Sequence, residues 1–442
     1  MYDKSKILFA TVGTGKTDAP NEEYKRLLRK AIGETNAENV CLFPSKRSLA
    51  TANEIKAEYD NDGKRIVSIE YMGETGMEFN ADKCYEFFEN VFQKYFSKGF
   101  EPENFVIDFT HGTKAMSAAL YAIGMRYRVS DFHYIVRNNN DKGEIVDGET
   151  VRIYDASYAR ELAVLDQCKL LFKTWQFEAV ETLLNAEKPS KKLKTVFERV
   201  KMLARFYSAW DRMDYAAAVK EFPMFDLSGF EKFIPSDDVK NWLDRLARPV
   251  AETGDSDVPL TKTQMSDNAE KLGDLLVDLY ANTLRRIETG LLEDGGIRIY
   301  RIAEMLGQAC LFRKGYVSDQ MPANDENVKF FARNNGISTK KCGDLFLFGR
   351  EKVAEFLLTR ATAEGDAEHN IAKFLVEKNE DIRGLRNTSV LIHGFSAKAK
   401  SSDEMRTLLN CLLGLVRLLI GSDKTIAKLH TAMFMNNFKD NA

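Results

Sequence analysis

Short apolar runs of strand length alternate with amphipathic stretches over residues 1–157. The predicted strands are Ile7–Gly13, Asn39–Pro44, Arg65–Tyr71, Phe105–Phe109, Phe132–Val136 and Val151–Tyr154. Helical spacing of apolar residues predicts helices at Asn21–Ala31, Ser48–Tyr59, Cys84–Phe96 and Met116–Arg128. Continuous apolar strands alternating with helices are typical of a parallel sheet that is covered on both faces. The pattern therefore predicts an N-terminal α/β domain with a Rossmann-like parallel sheet.

The pattern changes to helices alone after this region. A middle block of helices, residues 158–268, is predicted to be a helical linker domain. A loop is predicted near its end, at Ala251–Lys262, which contains Gly254 and Pro259. Residues 269–442 are predicted to form an all-α domain that opens with an antiparallel pair, Leu272–Thr289 and Ile297–Gly315. A chain of 442 residues is long enough for these three domains.

The composition limits which binding partners and which cellular compartment are expected. The net charge of −3 gives no global basic field for nucleic acid, so any RNA is expected to bind at a local patch. Six scattered cysteines without a CxxC pair indicate free thiols in a reducing compartment and no zinc site. No apolar run reaches membrane-spanning length, and Met1–Lys4 does not open a signal peptide. We therefore expect a cytoplasmic protein that has no membrane partner and no metal site.

Small residues, hydroxyls and lysines follow four of the predicted strands. In chain order these loops contain Gly13, Thr14, Gly15 and Lys16; Ser45; Thr75 and Gly76; and Thr110, His111, Gly112, Thr113 and Lys114. Parallel sheets bind ligands outside the carboxyl ends of their strands. Exposed backbone amides and a helix N-terminus suit phosphate oxygens. The loops therefore predict a site for a phosphate-containing ligand.

The first loop partly matches two nucleotide-binding motifs. Gly15-Lys16-Thr17 resembles the end of a P-loop, and Ile107-Asp108 resembles its metal-binding strand, but the glycine required five places before Gly15 is Ala10. A dinucleotide fingerprint also fails, because its third glycine would be Asp18. A P-loop-like NTPase stays as an alternative that these departures disfavour.

The run Asp108–Ser117 resembles the fourth-strand motif of the CARF domains of CRISPR-associated proteins, with His111 in place of the first glycine. The resemblance implies that the domain binds cyclic oligoadenylate, with tetra-adenylate favoured over hexa-adenylate. By position, the implied phosphate and ribose contacts are Thr110, His111, Gly112, Thr113 and Lys114, with Gly13, Thr14, Gly15 and Lys16 in the facing loop. Ser45, Thr75 and Gly76 are the implied contacts to adenines or riboses.

A second candidate site lies at Leu385–Phe395. Arg386 and His393 are seven positions apart, which on a helix is within roughly 20° of two full turns, so both would share one face. A guanidinium binds phosphate at any physiological pH, and an imidazole can move protons near neutral pH. Arg386, Asn387 and His393 also resemble the HEPN ribonuclease motif, and Leu279–Arg286 with Ile299–Leu306 resemble the paired long helices of HEPN domains.

The order of the two motifs resembles the CARF–HEPN ancillary ribonucleases of type III CRISPR systems. This resemblance implies a homodimer that cleaves single-stranded RNA when cyclic oligoadenylate binds, without a metal or other cofactor. The implied reaction is attack by the RNA 2′-hydroxyl, which leaves a 2′,3′-cyclic phosphate and a 5′-hydroxyl. Arg386, Asn387 and His393 would be catalytic. A non-cleaving cyclic-nucleotide sensor remains an alternative, and slow degradation of the activator by the CARF domain remains an additional possibility.

Overall fold

The computed structural model describes residues 6–13, 22–35, 37–139, 145–155, 157–248, 250, 260–339, 344–360, 366–387 and 401–433. The chain divides into two units: residues 1–166 with 188–194, and residues 167–187 with 195–442. This division does not test the three predicted domains, which stay a prediction. Within the described ranges, no helix combines the length and the apolar character that crossing a membrane requires.

A mixed sheet forms the centre of the first unit. Among the described residues it has six strands in the order β3-β2-β1-β4-β5-β6. Their bounds are β1 Ile7–Val12, β2 Asn39–Pro44, β3 Ile66–Ile69, β4 Phe105–Asp108, β5 Asp131–Asn139 and β6 Ile145–Asp155. β1 to β5 are parallel, whereas β6 runs antiparallel to β5 at the edge. The predicted parallel, Rossmann-like sheet is confirmed, and the antiparallel direction of its last strand is an addition to it.

Helices cover both faces of this sheet. They are α1 Glu22–Glu34, α2 Leu49–Asp62, α3 Ala81–Phe96 and α4 Lys114–Arg126, and α5 (Ser157–Lys173) follows β6. Side chains along β1 alternate between two cores: Ile7 and Phe9 join the aromatic residues of α3, while Leu8 and Ala10 join the aliphatic residues of α1 and α2. The ring of Phe9 meets that of Phe92 edge-on at 4.9 Å. Burial on both faces explains why the strands are apolar throughout.

The second unit is helical. Its first helices are α6 Phe177–Asn185, α7 Lys194–Asp211, α8 Tyr215–Lys220 and α9 Asp237–Leu246. They are followed by α10 Lys262–Glu288, α11 Leu292–Arg313, α12 Glu326–Asn334, α13 Arg350–Thr359, α14 Ala367–Glu377, α15 Asn379–Asn387, α16 Ser402–Ile420 and α17 Ser422–Ala432. A short β pair, β7 Met321–Pro322 and β8 Leu345–Phe346, precedes α13. The long helices α10 and α11 pack on each other, and α16 packs on both.

A row of buried polar residues lies along α10. We call it the α10 polar ladder, and it consists of Asp274, Asp278, Asn282 and Arg285. Asp278 accepts hydrogen bonds from Trp210 Nε1 at 2.9 Å and from the Tyr215 hydroxyl at 2.8 Å. Asp211 at the end of α7 accepts from Asn282 Nδ2 at 2.8 Å and from Arg285 Nε at 2.9 Å. The spacing of three and four residues puts the ladder on one helix face, which joins α10 to α7 and α8.

Candidate functional sites

The first candidate site lies where the strand order reverses between β1 and β4, the position at which open α/β sheets bind ligands. A cavity of about 160 Å³ lies there. Four of the predicted ligand residues line it, namely Gly13, Ser45, Gly112 and Thr113. It is also lined by residues that the sequence did not single out as ligand contacts: Tyr24, Arg47, Ser48, Glu78, Phe79 and Met116.

Two glycines let the loops after β1 and β4 approach each other. A β-carbon on Gly13 would lie 3.2 Å from the backbone nitrogen of Gly112 and 3.1 Å from the Tyr24 ring. Gly112 has φ +85°, and a β-carbon there would lie 3.1 Å from Cβ of Thr11. A side chain at either position would therefore separate the loops or strain the backbone.

The replacement of the first motif glycine by His111 is compatible with this loop. The positive φ falls on Gly112, so position 111 has no need of glycine. The His111 side chain is only 3% exposed, and its ring meets the Tyr24 ring edge-on at 5.4 Å. The buried imidazole thus packs against Tyr24, which lines the cavity.

The two threonine hydroxyls of the β4 loop hold the loop together. Thr113 precedes α4, accepts from the Met116 backbone N–H at 3.2 Å and donates to the Glu78 carbonyl oxygen. Its hydroxyl therefore connects the β4 loop to the loop after β3. The Thr110 hydroxyl oxygen accepts from the Ile135 backbone N–H at 2.9 Å. Direct contact of either hydroxyl with a ligand stays a prediction.

Asp108 at the end of β4 is a buried carboxyl. Burial raises its pKa to about 6, and hydrogen bonding by Thr110 opposes that rise. Oδ1 accepts from the Thr110 backbone N–H at 2.9 Å, whereas Oδ2 has no hydrogen-bond partner in the described part of the chain. The carboxyl therefore fixes the first turn of the loop and titrates near neutral pH.

None of the other predicted ligand residues that the structure describes lines this cavity. Thr75 and Gly76 are exposed and lead into a single 3₁₀ turn, Met77–Phe79. Lys114 is exposed at the first residue of α4. The remaining predictions in the β1 loop, Thr14, Gly15 and Lys16, lie outside the described residues.

The second candidate site is carried by α15. Arg386 is in its last turn, Asn387 is its exposed final residue, and His393 lies outside the described residues. The shared helical face predicted for Arg386 and His393 therefore stays a prediction. The buried side chain of Leu385 fixes the end of α15 against Gly296 of α11, where a β-carbon would lie 3.6 Å from Cβ of Leu385.

The beginning of α15 is fixed by a buried arginine. Arg350 is 8% exposed, donates from Nη2 to the Asn379 side-chain oxygen, and lies 5.2 Å above the Tyr300 ring. Its Nε and Nη1 have no hydrogen-bond partner among the described residues. Contacts at both ends therefore hold α15 against α11.

Comparison with protein families identifies this second unit. Residues 265–418 match the family described as "Csm6 HEPN domain". This part of the chain is similar to the HEPN domains of Csm6 proteins. The matched range contains Arg386, Asn387 and His393, and the match supports the predicted nuclease class. It confirms the predicted C-terminal helical HEPN domain.

The whole chain also has the fold of a solved Csm6. The structure titled "Enterococcus italicus Csm6 bound to cyclic hexa-2'-fluoro-hexa-dAMP" aligns with a TM-score of 0.58 and 14% identity, over 99% of this chain and 100% of that chain. At this identity the likeness shows the fold. With the HEPN match, it confirms the predicted resemblance to CARF–HEPN ancillary proteins of type III CRISPR systems. No curated protein matches the chain.

Three residues that line the cavity, Arg47, Phe79 and Tyr24, were not predicted, because the sequence around each gives little indication of a ligand site. Arg47 lies in a loop of hydroxyl and basic residues after β2, so its position at a strand end was visible. Phe79 lies in a polar surface segment, and only the fold brings it to the cavity. Tyr24 lies within an ordinary amphipathic helix, which gives no indication of a ligand site.

Proposed function

We propose that this protein is an endoribonuclease of type III CRISPR antiviral defence that cleaves single-stranded RNA in the cytoplasm when cyclic oligoadenylate binds. One observation carries the proposal: the Csm6 HEPN match encloses Arg386-Asn387 and His393 at the spacing of the ribonuclease motif. The protein acts as a homodimer, in which two copies of this motif meet across a two-fold axis.

The proposed reaction uses a nucleophile that belongs to the RNA. The 2′-hydroxyl attacks the adjacent phosphorus, and the 5′-oxygen leaves, which gives a 2′,3′-cyclic phosphate and a 5′-hydroxyl. Arg386 stabilises the charge that develops on the phosphoryl oxygens. His393 moves a proton, and Asn387 orients Arg386 or the phosphate. No step uses a metal ion.

The activator is proposed to bind at the carboxyl edge of the sheet. The cavity there is lined by two glycines, hydroxyls and Arg47, which suit a phosphate-containing ligand. The Enterococcus italicus Csm6 is named as bound to a cyclic hexanucleotide analogue, which supports this ligand class. Cyclic tetra-adenylate remains our favoured ring size. Binding favours the conformation in which the HEPN site is assembled.

A fluorogenic RNA assay with each cyclic oligoadenylate tests this function. Arg386→Ala and His393→Ala should each lower the activated rate by about 100-fold or more, because phosphate stabilisation and proton transfer are lost. The matched control is Arg383→Ala, an exposed arginine on the same helix whose guanidinium is 2.7 Å from Glu380. It should cleave like the wild type. Full activity of either motif variant would overturn the catalytic assignment.

The remaining alternatives give different outcomes. Wild-type protein that binds a cyclic oligoadenylate but never cleaves RNA would indicate the non-cleaving sensor. Magnesium-dependent ATP hydrolysis would indicate the NTPase. We further propose a slow ring-nuclease activity of the CARF domain. Incubation of the activator with the His393→Ala variant should then give linear products, and an unchanged ring would contradict this part of the proposal.

A further inference from the structure

An exposed aromatic ring forms part of the cavity at the carboxyl edge of the sheet. Phe79 is 66% exposed and lines the cavity together with hydroxyls, glycines and Arg47. Single exposed apolar side chains are common on protein surfaces, so exposure alone carries no argument. The location of Phe79 is informative, because a phenyl ring adds nothing to a site that only has to bind phosphate.

The turn that carries this ring is held in one position. The Phe79 backbone N–H donates to the Gly76 carbonyl at 3.1 Å, and the next N–H, of Asn80, donates to the Met77 carbonyl at 2.9 Å. The Glu78 carbonyl accepts from the Thr113 hydroxyl at the start of α4. The ring is therefore presented by a fixed backbone, which lowers the entropic cost of binding to it.

The two aromatic residues of the cavity differ in how much of their ring is available. Tyr24 is partly buried and already packs against the His111 ring. Phe79 makes no aromatic contact with any residue that the structure describes. Of these two rings, Phe79 is therefore the one that a ligand can cover.

The size of the cavity limits what can occupy it. Its volume of about 160 Å³ is below the roughly 300–1,000 Å³ of pockets that enclose a whole drug-sized ligand. It can take only part of a cyclic oligonucleotide, such as one base with its phosphate. A nucleobase has a flat π face that stacks on aromatic side chains, and a guanidinium binds phosphate.

We propose that Phe79 is the platform on which one base of the activator stacks, and that Arg47 binds the phosphate next to that base. This proposal rests on the proposed function and specifies the base-recognition part of its ligand site. Phe79 supplies affinity for any purine face, whereas Arg47 supplies affinity for the backbone irrespective of the base.

Titration of the full-length protein with two ligands tests the stacking role. The ligands are cyclic tetra-adenylate and the same ring with abasic riboses, and binding is measured by calorimetry. Phe79→Ala should weaken binding of the adenine ring by about 5- to 150-fold, the equivalent of a lost stacking contact. It should leave the weaker binding of the abasic ring unchanged, and Phe79→Trp should keep wild-type affinity for adenine. Ile66→Ala, which removes a 71% exposed side chain on β3 outside the cavity lining, is the matched control.

The same titrations separate the possible failures. If Phe79→Ala lost affinity for both ligands by the same factor, or lost affinity for neither, the stacking role would be overturned. Arg47→Ala should weaken the binding of both cyclic ligands by a similar factor. A loss of affinity confined to the ligand with adenines would overturn the role of Arg47 in phosphate binding. Wild-type protein that binds neither cyclic tetra-adenylate nor cyclic hexa-adenylate would instead refute the proposed function itself.

Discussion

At the scale of single residues, the carboxyl group of Asp108 shows how burial changes a pKa. Its carboxyl is buried at the end of β4, and this burial is the main reason that its pKa rises to about 6. His133 on the neighbouring strand opposes the rise, and its Nε2 is 3.3 Å from Asp131. The folded protein therefore binds a proton at Asp108 in a pH range where the unfolded chain has released it.

This pKa predicts a pH dependence of stability. Because the folded-state pKa is above the unfolded value of 3.8, the contribution of Asp108 is fully present below about pH 4 and is lost as pH rises through about 6. The free energy of unfolding should fall by up to about 1.4 kcal/mol per pH unit in this window. Asp108→Asn should abolish this component, as measured by urea unfolding between pH 4 and 7.

The control for this prediction is a surface carboxylate of the same unit. Asp60 on α2 is half-exposed and paired with Lys56 at 2.7 Å. Asp60→Asn should keep the wild-type dependence between pH 4 and 7. If the free energy of unfolding of Asp108→Asn still fell with pH as steeply as that of the wild type, other groups would be the cause of the pH dependence.

Sequence motifs pointed to some residues of the cavity, but not to the hydrogen bonds that these residues make. The motif around Thr110, Gly112 and Thr113 pointed to a loop of which Gly112 and Thr113 line the cavity, since these residues follow one another at a strand end. The hydroxyls of Thr110 and Thr113, however, bond to backbone groups of β5 and of the turn after β3, and such bonds depend on tertiary structure. Phe79 was missed because it reaches the cavity only through the turn after β3.

At the scale of elements, β1, β2 and β4 were predicted to within one residue at each end, whereas β5 and β6 are longer than predicted and the long helices α10 and α11 begin earlier than predicted. Strands buried on both faces are continuously apolar, so their bounds are visible in the sequence. The helix predicted at Leu272–Thr289 in fact begins at Lys262. Its first turns are polar and lack apolar periodicity, but Thr261 and Gln264 form a capping box that marks the true start.

Two helical glycines of the first unit should respond in opposite ways to alanine. A β-carbon on Gly124 of α4 would lie 2.2 Å from Cδ1 of Ile107 and 2.9 Å from the Phe132 ring. Gly124→Ala should therefore lower the free energy of unfolding by about 1–3 kcal/mol through overpacking. At Gly33 on α1, no described residue outside the helix backbone has an atom within 4 Å of the same position, so Gly33→Ala should raise the free energy of unfolding by about 0.5–1 kcal/mol.

Denaturant unfolding followed by circular dichroism measures both glycine variants. The pair is matched, because each adds one methyl group to a helix of the same unit. If Gly124→Ala were as stable as Gly33→Ala, then α4 would not pack against β4 and β5 as closely as the distances to Ile107 and Phe132 indicate.

At the scale of the whole molecule, the proposed function makes a prediction about metal ions. The proposed reaction uses the RNA 2′-hydroxyl together with Arg386 and His393, and none of its steps requires a metal. Activated RNA cleavage should therefore keep its rate when EDTA is added in excess over divalent ions. A large loss of rate that magnesium restores, with activator binding unchanged, would contradict the proposed chemistry.

The α10 polar ladder limits how the second unit can change shape. The side chains of Asp278, Asn282 and Arg285 are paired with Trp210, Asp211 and Tyr215, so a shift of α10 by one residue would break these pairs together. Removing one partner from a buried ion pair costs about 3–5 kcal/mol, which makes such sliding unfavourable. Helices α7, α8 and α10 must therefore move as one rigid body. In the proposed function, a signal that passes through the middle helices would reach α10 as a displacement of that body, with its internal distances unchanged.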